Sequence, residues 1–139
     1  MSYLIDTNVI SESKRKTPDQ NVISWLAGID DNEAYISVVT IGEIKKGAEK
    51  RESAKERSDL FRFLDRMRTR FAGRILPLTE ETFIVWGKLI ADFEKRGKPR
   101  PALDSLLEAT ALEHDLVLVT RNVRNFKDSQ VTILNPWEN

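Results

Sequence analysis

Leu116-Val117-Leu118-Val119-Thr120-Arg121-Asn122 carries the clearest strand signal in the chain. Four apolar residues, two of them valine, give way at once to a hydroxyl, a cation and an amide. An unbroken apolar run of this kind predicts a strand buried on both faces, as in parallel sheets. The residues before it read as helices. Thr79 can cap a helix with Glu80, Glu81 and Thr82 in its first turn, running to about Arg96 and ending at Gly97, with Pro99 beyond. Pro101 to His114 is the next helix, and Val131 to Leu134 a final short strand.

The N-terminal half repeats the alternation. Tyr3-Leu4-Ile5 is a short apolar run ending at Asp6, a buried first strand. Asn21 to Ile29 places Val22, Ile23, Trp25, Leu26 and Ile29 near the spacing of an amphipathic helix. Tyr35-Ile36-Ser37 reads as a second strand, and Val38 to Lys50 begins strand-like but has helical composition by Glu43. Arg51 to Phe71 carries Leu60, Phe61, Phe63, Leu64 and Met67 on one stripe, a surface helix whose stripe packs inward or meets a partner. Arg74-Ile75-Leu76 is a strand stopped by Pro77. Strands alternating with helices predict an α/β sandwich with a mainly parallel sheet, one domain over residues 1–139. Ligands of such sheets bind at the carboxyl ends of the strands, which fixes where chemistry is sought.

Composition narrows that chemistry. The chain has 139 residues, 40% hydrophobic and 32% charged, with 22 Lys+Arg against 22 Asp+Glu. It has no cysteine, which excludes thiolate nucleophiles, disulfides and sulfur-ligated metals. His114 is the single histidine, so two-histidine mechanisms are excluded and His114 itself reads as a cap at its helix end. Any hydrolytic chemistry falls to carboxylates. The longest uncharged stretch, the ten residues from Gln20 to Ile29, is well short of the roughly 18 apolar residues that span a bilayer. Asp6 interrupts the N-terminus before a signal core forms. A cytoplasmic protein without a membrane segment is expected. Net charge is +0, yet Glu43 to Arg74 holds eleven Lys/Arg against six Asp/Glu. Such a segment suits a polyanion partner, or a solvated helix laced with opposite charges.

Carboxylates recur at the strand ends. Asp6 follows the first strand, with Thr7 and Asn8 suited to a strand-to-helix turn. Glu43 interrupts an apolar stretch, where a charge must be solvated, paired or metal-bound. Asp104 opens the helix after Pro101, and Glu108 lies one turn on, read as an exposed glutamate. Thr120 and Asn122, then Asn125, follow the strand that opened this account. Each has a simpler duty: a cap for Asp6 or Thr7, surface charge for Glu43, helix-dipole complementarity for Asp104, turn formation for the asparagines. Together Asp6, Glu43 and Asp104 make an oxygen-only site of the type preferred by Mg²⁺ and Mn²⁺. A divalent cation relieves their mutual repulsion and activates water against a phosphate, which predicts metal-dependent phosphodiester cleavage.

The motifs have a family likeness. Leu4 to Ile10 (L-I-D-T-N-V-I), Glu43 to Gly47 (E-x-x-x-G), Asp104 to Ala111 (D-x-x-x-x-A-T-A) and Val119 to Phe126 (V-T-R-N-V-R-N-F) resemble the four motifs of PIN domains, in order. The closing N-P-W at Asn135 to Trp137 is common in the VapC/FitB toxin ribonucleases of that family. The resemblance implies a PIN-like three-layer sandwich, Mg²⁺- or Mn²⁺-dependent cleavage of RNA, and a homodimer. It further implies inhibition by a VapB-like antitoxin, with operator DNA met only through that antitoxin. Carried over by position, Asp6, Glu43 and Asp104 hold the metal, and Thr120 and Asn122 orient water or metal. Many relatives have an aspartate where this chain has Asn122 or Asn125, and alanine is usual at Glu108. An acidic pocket repels phosphate, so cations must draw single-stranded or looped RNA in. Arg100, Arg121 and Arg124 are the candidates, with Lys45, Lys46 and Lys98 behind them. The rival reading is a PIN-like module that binds RNA or a partner without cleaving. A haloacid dehalogenase would need D-x-D, which Asn8 breaks. A response-regulator receiver would need paired acids at the start and a late lysine, and has neither. Trp25 and Trp86 read as core or subunit contacts.

Overall fold

The chain begins in the middle of its own sheet. A computed structural model describes residues 1–138. Its strands are β1 (Tyr3–Ile5), β2 (Ala34–Ser37), β3 (Ile75–Leu76), β4 (Val117–Val119) and β5 (Ile133–Leu134). They pair in parallel in the order β3-β2-β1-β4-β5. The chain steps outward from β1 to β3, then returns to lay β4 against the other side of β1. This reversal leaves a crevice beyond the carboxyl ends of β1 and β4, where α/β folds place their ligands.

The helices are α1 (Thr7–Ile10), α2 (Gln20–Gly28), α3 (Val38–Glu49), α4 (Ala54–Arg70), α5 (Glu80–Lys95) and α6 (Ala102–His114). Strand residues alternate between two cores. Ile5, Ala34, Ile36 and Val119 meet Val9, Val22, Ile44 and Phe63 from α1 to α4. Leu4 and Leu118 meet Leu107 and Ala111 of α6 on the opposite face. Helix, sheet and helix thus form the α/β three-layer sandwich. Leu4, Ile5, Leu118 and Val119 are fully buried, each contributing about 1.5–3 kcal/mol. The α4 stripe divides: Phe63 is buried, while Leu64 and Met67 are partly covered against the first core. Trp25 packs there too, edge-on to Tyr3 with ring centroids 5.3 Å apart.

Local chemistry explains the boundaries. Thr79 and Thr82 form a reciprocal capping box that starts α5, and Gly97, with φ +67°, follows its end. Val38-Val39 is helical from the outset because the Ser37 hydroxyl accepts the Val39 N–H at 3.0 Å, so a cap overrides β-branched propensity. At the end of α6 it is Asp115, left-handed at φ 54°, that turns the chain, while exposed His114 lies 3.4 Å from Glu113. Three 3₁₀ turns, Ser11–Lys14, Asp31–Glu33 and Val123–Phe126, carry too few residues to show a periodic pattern in sequence. Among the described residues no helix is long and apolar enough to cross a membrane.

Candidate active site

Asp6 takes its place from the strand it ends. Ile5 pairs with Val119 across β1 and β4, and the Asp6 N–H donates to the Val119 carbonyl at 2.9 Å. The next residue on β4 is Thr120, whose buried hydroxyl donates to Asp6 Oδ2 at 2.8 Å. Asp6 Oδ1 accepts the Thr7 N–H at 2.7 Å, so the same carboxylate also caps α1. The Asn8 amide approaches Oδ2 at 3.4 Å. Capping thus engages Oδ1, while Oδ2 faces Thr120 and Asn8.

Two further acids converge on it. Glu43, in α3, accepts the Thr7 hydroxyl at 2.5 Å, and that hydroxyl also lies 3.0 Å from Thr40 Oγ1. Thr7 thus bolts α1 to α3 directly beside Asp6. Asp104, in the first turn of α6, accepts the Asn125 amide at 2.8 Å. Burial pushes the Asp6 carboxyl up to about 6 against the pull of Thr120 and Thr7, and the charges of Glu43 and Asp104 push it further the same way. Burial and the two like charges both favour the neutral form of Asp6, a preference that a cation bound among the three acids would reverse.

The donors are carboxylate and hydroxyl oxygens, which suit a hard cation. Among the described residues no three His, Asp or Glu side chains lie together closely enough to enclose a metal ion. A cation held here would contact one or two carboxylates directly and keep water in its other positions, the usual habit of Mg²⁺.

Other expected residues fall differently. Asn122 meets Thr120 through its backbone, its N–H donating to the Thr120 hydroxyl at 3.0 Å, and its side chain is exposed. Asn125 is the asparagine whose side chain reaches the acids, because the 3₁₀ turn Val123–Phe126 carries it toward α6. Arg121 and Arg124 line a cleft of ≈ 470 Å³ with Asn122, Asn125 and Trp137. The Arg121 guanidinium stands 5.1 Å from the Trp137 ring. Arg100 is a correction to the expected set of RNA-drawing cations. Its side chain is 8% exposed, stacks 3.9 Å from the Phe93 ring centroid, and donates from Nη2 to the Lys127 carbonyl. Glu108 is a second correction: expected at the surface, it is fully buried with Arg100 Nε 3.5 Å from Oε1. Burial raises the Glu108 carboxyl above the usual range, while Ser129 and Arg100 hold it down. Trp86 donates its indole N–H to Ser105 at 2.9 Å, tying α5 to α6. Sequence reasoning missed Thr40 and the tethering role of Thr7, whose only signal is adjacency to Asp6.

A parallel sheet that gathers acids and a buried threonine hydroxyl at its switch point places the chain among the small α/β proteins whose sites lie at the carboxyl ends of the strands. The sequence model described as "PIN domain" matches residues 3–129. The chain belongs to the PIN-domain family. It is 33% identical over 135 residues to toxin FitB of Neisseria gonorrhoeae, covering 96% of this chain and 97% of FitB. It is 30% identical to the VapC ribonuclease Y4jK of Sinorhizobium fredii, covering 97% of each chain. The crystal structure of FitAcB from Neisseria gonorrhoeae superposes with a TM-score of 0.94 at 33% identity, over 99% of both chains.

Proposed function

We propose that the protein is a toxin ribonuclease that hydrolyses RNA phosphodiester bonds with Mg²⁺ or Mn²⁺ and is held inactive by a cognate VapB-like antitoxin. The observation that carries this reading is the convergence of Glu43 and Asp104 on a buried Asp6 that Thr120 and the Thr7 N–H hold in place at the carboxyl ends of β1 and β4. Asp6, Glu43 and Asp104 would hold the cation. When bound, it polarises a water and neutralises charge gathering on the phosphate. Thr120 fixes Asp6, Thr7 fixes Glu43 and Asn125 fixes Asp104, so all three carboxylates are oriented before substrate arrives. Arg121 and Arg124 line the adjacent cleft and would take phosphates flanking the scissile bond. The names of the FitB and VapC relatives support the toxin and ribonuclease parts. A cytoplasmic homodimer that meets operator DNA only through its antitoxin completes the reading.

The test is incubation of the purified protein with single-stranded RNA. Cleavage that needs Mg²⁺ or Mn²⁺, stops with EDTA and returns on adding metal supports it. A second reading, an RNA- or partner-binding module without turnover, rests on the amide of Asn125 standing against Asp104 in a motif where the family resemblance implies an acid at the position of Asn122 or Asn125. RNA binding with no metal-stimulated cutting would select it.

A further inference from the structure

α1 and α3 leave the catalytic edge together. α1 starts from Asp6 after β1 and α3 from Ser37 after β2, and Thr7 links them through Thr40 and Glu43. Their far ends meet again. The residues after the 3₁₀ turn Ser11–Lys14, together with Arg51 and the start of α4, frame a second cleft of ≈ 580 Å³. Lys14, Arg15, Lys16 and Arg51 line it with the Thr17 hydroxyl, against Glu56 and Asp59.

This cleft is a built feature. Glu12 is 3% exposed, accepts the Asp19 N–H at 2.8 Å on Oε2 and holds Arg15 at 3.6 Å on Oε1. The loop between is pinned at both ends, with Lys14 to Thr17 left exposed. Of the acids, Asp59 already answers Lys55 at 3.3 Å and Arg62 at 2.5 Å. Lys16 and Arg51 enter no ion pair among the described residues. Between cleft and acids, α3 places Lys46 and Lys50 three and seven residues beyond Glu43, on its face of the helix. Lys45 points elsewhere, to Glu49 at 3.8 Å and to the Phe61 ring at 4.3 Å.

With Arg100 buried against Glu108, only Arg121 and Arg124 of the three expected cations stand beside the acids, and a longer RNA strand needs further cations to hold its backbone. We propose that the Lys14–Thr17/Arg51 cleft binds the phosphate backbone of single-stranded RNA, as a subsite beyond the carboxyl end of α3, where Arg51 lies eight residues past Glu43. The proposal rests on the ribonuclease reading. Its chemistry is that of sequence-independent backbone binding, in which each lysine or arginine releases counterions from the strand.

The test measures RNA affinity against salt in EDTA for wild type, for Lys16→Glu/Arg51→Glu and for the milder Lys16→Ala/Arg51→Ala. The expected result is a log–log salt slope shallower by about 1.4 in both variants, about 0.7 for each lost contact on a single strand. Lys88→Glu/Lys95→Glu makes the same charge change on α5 and should leave the slope unchanged. An unchanged slope in both Lys16/Arg51 variants, or an equal drop in the α5 control, overturns the proposal. If wild type still binds and cuts RNA in those cases, the ribonuclease reading survives. If wild type binds no RNA, both fall. Variants that keep the RNA slope but no longer bind an acidic antitoxin segment would reassign the cleft to a protein partner.

Discussion

Asp104 and Glu108 stand one turn apart on α6, and the fold gives them opposite surroundings. Asp104 lies half-buried in the first helical turn, where the dipole favours its charge and Asn125 donates to it at 2.8 Å. Glu108 is fully buried, with Ser129 and Arg100, whose Nε lies 3.5 Å from Oε1, as the groups that stabilise its charge. The contrast lies in who supplies the positive charge. Glu108 finds it inside the protein, so it is closed to anything from solvent. Asp104 shares the crevice with Asp6 and Glu43, and no basic side chain of the chain forms an ion pair with any of the three among the described residues. One helix thus leaves one carboxylate facing the crevice and locks its neighbour into the scaffold.

Breaking the internal pair has the largest expected effect on stability. Glu108→Ala leaves Arg100 buried without its partner and should cost about 3–5 kcal/mol in urea unfolding. Arg100→Met combined with Glu108→Leu should recover most of that loss, since apolar packing replaces a desolvated pair. Equal losses in the single and double variants would show that the pair is not the reason.

The open pocket predicts an effect of pH. Asp6 binds its proton more tightly folded than unfolded, so metal-free protein gains stability as pH falls through about 6. The gain, complete near the ordinary aspartate range, is on the order of 3 kcal/mol. Glu43 and Asp104 face Asp6 and reinforce the trend. In EDTA the melting temperature should therefore rise between pH 7.5 and 5. Mg²⁺ should raise it at pH 7.5 and less at pH 5.5. A flat profile in EDTA would mean that burial does not hold the Asp6 carboxyl above the usual aspartate range. A smaller contrast separates the two asparagines. Asn125→Ala should slow metal-dependent cleavage about fivefold, the worth of one hydrogen bond of about 1 kcal/mol. Asn122→Ala should change it less, because its contact to Thr120 is made by the backbone.

Sequence made the strand ends legible, and with them Asp6, Asp104 and Thr120, because each directly follows an apolar run or opens a helix. The side-chain partners were not legible. Asn122 and Asn125 look alike until a 3₁₀ turn, which leaves no periodic trace, decides which one faces α6. Glu108 was read as exposed because most glutamates are. α6, however, is buried on nearly every side from Ser105 to Ala111, between the sheet and α5. A carboxylate there had to bring its own cation, and Arg100 lies eight residues earlier, outside the helix. The Thr7–Glu43 contact joins residues 36 apart in sequence, and only the parallel departure of α1 and α3 from adjacent strands creates it.

The most direct measurement is single-turnover RNA cleavage by wild type and by Asp6→Asn, each in Mg²⁺, Mn²⁺ and EDTA, with melting curves to show that both are folded. The account predicts metal-dependent cleavage by wild type, none in EDTA, and at least about a hundredfold loss in the variant, the scale of removing one preorganised electrostatic group. Undiminished, EDTA-resistant cleavage by folded Asp6→Asn would contradict it.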